Sequence, residues 1–397
     1  NWVPGVNMVK EYLQMPDDIP RPQLSLAALV KVGIDESLLT GLGSLITRPR
    51  LPTPGMRQRA RDEVEDALAE FEINGWIDNP ESYHRRPPEL TKFTITPDTT
   101  CGIRYEHMRF ESGYEPLHGE PGRNRWLGYE PNTTAHAWVL RNARQPRPWM
   151  ICIHGYRMGS PWLDLQALRA ERLHFEHGIN IISYVLPLHG PRKAGMRSGD
   201  GLLQAGYVNF IHAAAQAVWD LRRIFEWLKR DQQATAVGVY GLSLGGFTTA
   251  LFAGLEPGLA CAIAGVPPAN IVRASQRLGG RGLLYFLEML GMPWKDVERV
   301  TRVVSPLSFA PKLAKERLYI FAGLLDRHAI PQEPYDLWEH WGHPTIDWYQ
   351  GNHISFPVES SVQSMIDDAI KTWLLDQPEP KKVKGIARIA ASRRTRG

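Results

Sequence analysis

Thr235-Ala-Val-Gly-Val-Tyr-Gly241-Leu-Ser243-Leu-Gly245-Gly246-Phe predicts a short apolar strand that changes into a helix at a single serine. Glycines lie two residues before and two residues after Ser243. A turn this sharp forces its central residue into a strained backbone geometry, where a neighbouring Cβ would clash. The strain lifts the Ser243 hydroxyl clear of the strand, and the first amides of the helix favour a developing negative charge at the same place. The pattern therefore indicates a nucleophilic serine.

A second strand and its loop lie upstream, in Arg147-Pro-Trp-Met-Ile-Cys-Ile153-His154-Gly155-Tyr156. Next to a nucleophilic serine, such a loop supplies one backbone N–H to an oxyanion, and the residue after the serine supplies the other. We therefore predict Tyr156 and Leu244 as the two donors. We interpret the side chain of His154 first as a structural group that hydrogen-bonds the loop.

Two more strands, each followed by a loop, come after the serine. One is Leu318-Tyr-Ile-Phe-Ala-Gly323, whose loop carries Asp326, and the other is Thr345-Ile-Asp-Trp-Tyr, whose loop carries His353. In nucleophilic catalysis the serine attacks a carbonyl and a histidine takes and returns its proton. A carboxylate holds the histidine in the correct tautomer. The predicted catalytic residues are therefore Ser243, Asp326 and His353.

Other residues compete for the roles of acid and base. Asp336 and Asp347 are alternatives to Asp326, but one is predicted within a helix and the other within a strand, not beyond a strand end. Among the thirteen histidines, His328 and His189 are the main competitors of His353. His340 and His343 precede the last strand and would lie at the opposite edge of the sheet.

From about Phe93 to Leu375 the chain resembles the α/β-hydrolase superfamily of serine esterases and peptidases. The features that carry the resemblance are the His154-Gly155 loop, the elbow at Ser243, and the loops of Asp326 and His353. The resemblance implies an α/β-hydrolase fold, with a mostly parallel eight-stranded sheet, helices on both faces and a covalent acyl-enzyme. It does not imply a substrate, because this fold hosts many chemistries. The loop 187–192 is similar to that of a branch of uncharacterised hydrolases with an extra N-terminal region.

Four side chains on loops near the predicted crevice are candidate substrate contacts: His154, Arg157, His189 and Arg192. His189 follows a strand and precedes the serine, so we interpret it as a wall of the site. Arg157 and Arg192, together with Arg273, could meet an anionic group, although loop arginines are usually only solvated.

The chain divides into three parts in this interpretation. Residues 1–92 are predicted to be a mostly helical N-terminal extension, with a helix over Arg57–Glu72, that wraps over the catalytic domain. Residues 93–376 form the α/β-hydrolase domain, in which the helix Val208–Arg230 is attributed entirely to core packing. Residues 377–397 form a basic tail, interpreted as a mobile, solubilising end.

Residues 267–311 are too long for an ordinary connection between strands. They contain an apolar helix over Leu283–Leu290. This segment is either a cap-like insertion over the crevice or a helix that packs on the sheet, and the sequence does not decide between them. A cap would favour a substrate with a sizeable apolar part.

Composition fits a soluble enzyme. The chain has 397 residues, 43% of them hydrophobic, a formal net charge of +4 and three cysteines, and it lacks an uncharged apolar run long enough to span a membrane. Its first residues lack the plan of a secretion signal, so we expect a cytoplasmic protein. We expect no metal, no other cofactor and no nucleic-acid partner, because no metal-ligand spacing and no phosphate-binding glycine loop occurs. A homo-oligomer remains open.

The leading hypothesis is hydrolysis of a small-molecule carboxylic ester through an acyl-serine intermediate. An amidase or peptidase with the same triad is the alternative within the enzyme class, because leaving-group chemistry is not visible in the sequence. A non-catalytic binding protein that keeps the fold is the alternative outside it, and the intact order of Ser243, Asp326 and His353 argues against that reading.

Overall fold

The protein is described by a computed structural model that covers residues 15–23, 25–26, 28, 30–35, 37, 54–142, 146–203, 206–278 and 293–376. Three sequence-based expectations lie outside these residues. They concern the helix over Leu283–Leu290, the basic tail at 377–397 and much of the N-terminal extension.

The described residues form one nine-stranded sheet with the spatial order β1-β2-β3-β5-β4-β6-β7-β8-β9. In chain order the strands are β1 (Thr94–Thr100), β2 (Ile103–Glu111), β3 (Thr134–Leu140), β4 (Trp149–Ile153), β5 (Asn180–Tyr184), β6 (Val237–Leu242), β7 (Ala262–Gly265), β8 (Leu318–Gly323) and β9 (Thr345–Tyr349). β1, β2 and β3 pair antiparallel and β3 pairs antiparallel with β5, whereas all later pairings are parallel.

The sheet has one strand more than the resemblance implied. β1 pairs with β2 from Thr94 opposite Arg109 to Thr100 opposite Ile103, and its side chains are mostly exposed. The turn between the two strands is made by Cys101 and Gly102, with φ of 45° and 86°. Positive φ at both central residues gives a tight hairpin turn whose twist matches that of the strands. The extra strand is therefore a local hairpin added at the sheet edge, and the fold class is as expected.

Helices cover both faces of the sheet. In chain order they are α1 (Pro54–Ile73), α2 (Arg123–Leu127), α3 (Pro161–Ala167), α4 (Ala170–Glu176), α5 (Tyr207–Arg230), α6 (Leu244–Leu255), α7 (Ile271–Leu278), α8 (Trp294–Thr301), α9 (Gln332–His340) and α10 (Ser360–Ile370). One hydrophobic cluster joins α1, α5, α6 and α8 to the sheet, and a second joins α3, α4 and α10 to its other face. Within the described ranges, no helix is both long and apolar enough to cross a bilayer.

The predicted helices at Arg57–Glu72 and Val208–Arg230 are confirmed as α1 and α5. On α1, Val64 and Phe71 are each 2% exposed and belong to the same cluster as the sheet. Helix α1 of the N-terminal extension packs on α5 and α8, so it shares the core of the sheet.

The sheet forms a crevice near its centre. β4 lies between β5 and β6, so the chain leaves β4 toward one side and returns on the other. Loops at the carboxyl ends of strands diverge at such a reversal of strand order, and ligand sites form there. The loops after β4, β6, β8 and β9, which carry the predicted site residues, all leave this edge of the sheet.

Candidate active site

Ser243 joins β6 to α6 in the strained geometry that the sequence predicts. Its φ is 55° and its ψ is −116°. L-residues rarely adopt this backbone conformation, which costs on the order of 1–3 kcal/mol. The turn is held on both sides, because Ser243 N donates to Gly265 O at 2.8 Å and Ser243 O accepts from Phe247 N at 2.9 Å. The backbone thus keeps the serine at the tip of the turn.

The glycines around Ser243 are required by close backbone packing. A Cβ on Gly241 would lie 2.1 Å from Gly245 O, one on Gly245 would lie 2.0 Å from Ile153 O, and one on Gly246 would lie 2.5 Å from Gly265 O. Real Cβ atoms do not approach an oxygen so closely. The glycines therefore let α6 begin directly against β4, β6 and β7.

The two predicted oxyanion donors lie beside the serine. A Cβ on Gly155 would lie 3.5 Å from Ser243 Cβ, so the loop after β4 runs against the elbow. Tyr156 follows Gly155 in this loop, and Leu244 is the first residue of α6, whose amide has no acceptor within its own helix. Both line the same cavity as Ser243.

The loops after β8 and β9 bring Asp326 and His353 together. His353 Nδ1 lies 2.7 Å from Asp326 Oδ2. The other carboxylate oxygen, Asp326 Oδ1, accepts from the amides of His328 at 2.8 Å and Ala329 at 2.9 Å. Because both oxygens are occupied, the carboxylate of Asp326 is fixed, and the other ring nitrogen of His353, Nε2, takes no part in this contact.

The pKa of His353 is raised above its ordinary value. Burial acts to lower it, but the charge and hydrogen bond of Asp326 and the charge of Asp35 outweigh burial. An imidazole that gains a proton is therefore stabilised in this place, as a general base requires.

Asp35, from the N-terminal extension, is a site residue that sequence reasoning missed. It is fully buried, and its Oδ2 accepts from the amides of Arg327 and His353, each at 3.1 Å. Burial acts to raise its pKa, but the two amides and the nearby imidazole of His328 outweigh burial and leave the pKa lowered. No local pattern around residue 35 signals this contact.

His328, a competitor of His353 at the sequence level, lies next to it. The two rings stack with centroids 4.7 Å apart and an angle of 27° between planes. His328 uses its amide to hold Asp326 and does not contact that carboxylate through its ring in the way that His353 does. The geometry favours His353 as the partner of Asp326.

Asp326, His328 and His353 also form a group whose potential ligand atoms lie within 4.8 Å of one another. The hydrogen bond between Asp326 and His353 accounts for much of this proximity. The sequence-based expectation that the protein uses no metal remains a prediction.

Ser243 and His353 line one cavity of about 450 Å³. Its volume lies within the ~300–1,000 Å³ typical of small-molecule sites. Most of its wall is apolar, for example Leu202, Phe210 and Ile271. Phe210, on α5, lines this cavity and is also a buried member of the core cluster. The burial of α5 in that cluster agrees with the sequence-based attribution of this helix to core packing.

Of the four predicted substrate contacts, only Arg157 lines this cavity. Its guanidinium donates to Ser198 O at 2.9 Å, pairs with Asp200 and lies over the ring of Tyr156, 5.0 Å from its centroid. The guanidinium on the wall is thus already paired with a carboxylate.

The other three predicted contacts are fully buried and lie outside the lining of this cavity. His154 Nε2 accepts from Leu186 N at 3.1 Å, the structural role interpreted first. Arg192 is enclosed by an ion pair with Asp220 at 3.0 Å and other internal acceptors. Burial lowers the pKa of His189 to about 3, so this ring is neutral. The structure does not bring these three to the serine.

The competing acids are placed as the sequence indicates. Asp336 lies on α9 and pairs with Arg273 at 2.6 Å, and Asp347 lies within β9. Arg273 is also bound by Glu333, so it too is committed to internal partners. His340 and His343 bond Phe309 O and Glu339, away from the serine.

The segment predicted as a cap contributes to the site in part. Pro268, Ile271 and Ala274, from the loop after β7 and from α7, line the cavity. α8, farther along, packs on α1 and α5 instead. The helix on which the two alternatives turn lies outside the described residues, so the cap-like insertion remains a prediction.

The sheet order, the elbow and the loops that carry Asp326 and His353 define an α/β-hydrolase fold. Two solved structures share it at identities that show the fold alone. Acetyl xylan esterase 1 from Thermoanaerobacterium sp. JW/SL YS485 is 12% identical, with 76% of this chain and 94% of that chain covered and a TM-score of 0.54. An acetyl xylan esterase from Paenibacillus sp. R4 is 14% identical, with 75% and 99% covered and a TM-score of 0.50.

Within this fold, the chain belongs to the same family as two proteins of Mycobacterium tuberculosis. These are uncharacterized protein MT2702 of strain CDC 1551 / Oshkosh and uncharacterized protein Rv2627c of strain ATCC 25618 / H37Rv. Each is 38% identical over 383 residues, which cover 94% of this chain and 89% of the relative. No profile of a known protein family matches the chain.

Proposed function

We propose that the protein is a serine hydrolase that cleaves a carboxylic ester through an acyl-enzyme on Ser243. The observation that carries this proposal is that a strained elbow serine and a histidine bonded to a buried carboxylate line one cavity. The proposal rests on this site and not on the fold, because α/β-hydrolase folds host many chemistries.

The reaction begins when Ser243 Oγ attacks the ester carbonyl carbon and His353 Nε2 takes the hydroxyl proton. The amides of Tyr156 and Leu244 stabilise the oxyanion, which is worth on the order of 10²–10³ in rate for each donor. His353 then gives its proton to the leaving alkoxide, and the C–O bond breaks to leave the acyl-enzyme.

Water completes the cycle. His353 takes a proton from the water as it attacks the acyl carbon, and returns that proton to Ser243 Oγ when the carboxylic acid leaves. Asp326 holds His353 with Nδ1 protonated, which the 2.7 Å contact between His353 Nδ1 and Asp326 Oδ2 supports.

The cavity indicates the class of substrate. Its wall is mainly apolar, and its charged side chain, Arg157, is already paired with Asp200. An uncharged ester with an apolar acyl or alkyl group is therefore favoured, because burial of such a group releases about 25 cal/mol per Å² of apolar surface.

A fluorophosphonate probe tests the proposal. Ser243 Oγ should displace fluoride from phosphorus, with its proton taken by His353, and mass spectrometry should find the adduct on Ser243. Ser243→Ala should lose both labelling and ester hydrolysis, whereas Ser82→Ala, a remote and exposed serine, should keep both.

The substrate class follows from a panel of p-nitrophenyl esters of graded acyl length beside the matching anilides. Faster cleavage of the esters would support an esterase, and comparable or faster cleavage of anilides or a peptide would indicate an amidase. Esterase activity that survives Ser243→Ala would refute the assignment.

A further inference from the structure

The N-terminal extension contacts the loop that carries His353. The described residues between 26 and 37 are helical, and Ser25 Oγ caps this N-terminal helical segment by accepting from Ala28 N at 3.1 Å. Lys31 Nζ donates to Gln350 O at 2.8 Å and pairs with Glu359 at 2.9 Å. These contacts join residues more than three hundred positions apart in the sequence.

The loop that carries His353 also donates a hydrogen bond to the backbone of the segment. Asn352 Nδ2 donates to Lys31 O at 2.9 Å. Since Asn352 precedes His353 directly, the segment binds the backbone and side chains on either side of the proposed general base.

Asp35 connects this segment to both catalytic loops. One oxygen, Oδ2, accepts from Arg327 N, next to Asp326, and from His353 N, each at 3.1 Å. A single carboxylate atom therefore fixes the position of the acid loop relative to the histidine loop. The side chain of Asp35 is fully buried.

Stability alone does not account for this aspartate. Its other oxygen, Oδ1, is buried with no hydrogen-bond partner among the described residues. A buried carboxylate that is only half satisfied costs free energy, and such groups in native proteins call for a functional reason.

The charge of Asp35 also acts on the imidazole of His353. The titratable groups that face His353 are Asp326, Asp35 and His328. The two carboxylates both favour the protonated ring. The ring of His328, which stacks on His353, lies near the same carboxylate, with its Nδ1 3.8 Å from Asp35 Oδ2.

We propose that Asp35 is a positioning residue, through which the N-terminal extension holds the acid loop and the histidine loop in register for catalysis. This inference rests on the proposed function of Ser243, Asp326 and His353. It assigns to the extension a role at the catalytic centre as well as in the core.

The test uses the full chain with Asp35→Asn, Asp35→Ala and the control Lys31→Met. Lys31 contacts the same loop but no backbone amide of Arg327 or His353. Asparagine keeps one oxygen for the two amides and removes the charge, whereas alanine removes both. Two quantities are measured: amide hydrogen exchange in peptides that contain residues 327 and 353, and the rate of fluorophosphonate labelling at Ser243 against pH.

In Asp35→Ala we expect faster exchange at both peptides and labelling that is about 10-fold to 100-fold slower, because small displacements of catalytic groups cost that much. Asp35→Asn should keep most of the exchange protection. The rate at which this variant is labelled should increase with pH, as in wild type. The increase should come at a lower pH, because loss of a nearby negative charge lowers the pKa of His353. Lys31→Met should leave the position of this rise unchanged.

The possible outcomes distinguish a structural role of Asp35 from a positioning role, and both from failure of the proposed function. If exchange accelerates but labelling and its pH profile stay as in wild type, Asp35 is only structural and the inference is wrong. Unchanged exchange in Asp35→Ala would also overturn it. If wild type takes no label, the proposed function fails and the catalytic part of the inference with it, while the exchange data still decide whether Asp35 holds the two loops. Circular dichroism and thermal unfolding confirm that each variant is folded.

Discussion

The two halves of the candidate site are held by different physical means. Ser243 is fixed by contacts so close that a methyl group at Gly241 or Gly245 would overlap backbone oxygen. The loops of Asp326 and His353 are fixed by hydrogen bonds, two of which the carboxylate of Asp35, far away in the sequence, accepts from the amides of Arg327 and His353. Steric contacts act locally and allow only one arrangement of the backbone. Hydrogen-bonded loops, in contrast, keep their geometry only while each donor and acceptor is in place.

This difference has consequences for how each half can fail. The nucleophile half should respond to added volume by losing its fold, because protein interiors do not yield to overlap with backbone. The acid–base half should respond to lost polar atoms by losing rate while the fold survives. The predictions below test this contrast, in descending order of expected effect.

Gly245→Ala should have the largest effect. Its Cβ would lie 2.0 Å from Ile153 O and 2.7 Å from His154 O, so α6 or β4 would have to move. We expect destabilisation above about 4 kcal/mol, which is exceptional for one substitution, with loss of soluble protein and of labelling. Thermal unfolding and the yield of soluble protein measure this loss of stability.

The control is Gly33→Ala, whose Cβ would meet nothing within 4 Å. A Gly245→Ala protein with the wild-type Tm would show that the elbow is not sterically fixed.

Asp326→Asn should keep the fold and lower kcat by about 10⁴, as loss of the correct histidine tautomer does in serine proteases with this triad. The asparagine oxygen can still accept from the amides of His328 and Ala329, so the loop should remain in place. Steady-state kinetics on the best ester and the Tm together measure this. Asp336→Asn and Asp347→Asn, the acids that competed with Asp326 in the sequence, are controls with near-normal kcat. Near-normal turnover of Asp326→Asn would move the role to another acid.

The same division decides what could be predicted from sequence. The elbow was predictable because strain, glycines and helix start lie within a dozen residues, and the loops of Asp326 and His353 were predictable because each follows a strand. Asp35 was not, because its partners are near residues 327 and 353 and nothing in its neighbourhood reports them. His189 was interpreted as a wall of the crevice because it follows a strand, and Arg192 as a possible contact for an anionic group. Both side chains are fully buried, and a sequence does not show on which side of a loop a side chain lies.

The pH dependence of kcat/KM should report the raised pKa of His353. The base acts only when neutral, so a raised pKa keeps it protonated and inactive to a higher pH. We therefore expect the rate to fall as pH drops through a value above the ordinary 6.5 for histidine. Asp326→Asn should move this fall in rate to lower pH, because the ring of His353 loses the charge that favours its protonated form. Asp336→Asn should not move it. A fall in rate centred below pH 6.5 in wild type would show that burial affects the pKa of His353 more than the carboxylates do.

The smallest effect is expected at the cavity wall beside His353. Ile354 lines the cavity yet is 51% exposed, so Ile354→Ala removes apolar contact with substrate at little cost to the fold. We expect kcat/KM to fall by up to about tenfold for long acyl esters, the lower end of what a lost methylene or two is worth in a pocket, and to stay unchanged for an acetyl ester. Val358→Ala, on the same loop but 82% exposed and outside the lining, is the matched control. Equal losses for short and long esters would show that Ile354 acts on the position of His353, and that even an exposed apolar residue helps to hold the acid–base half.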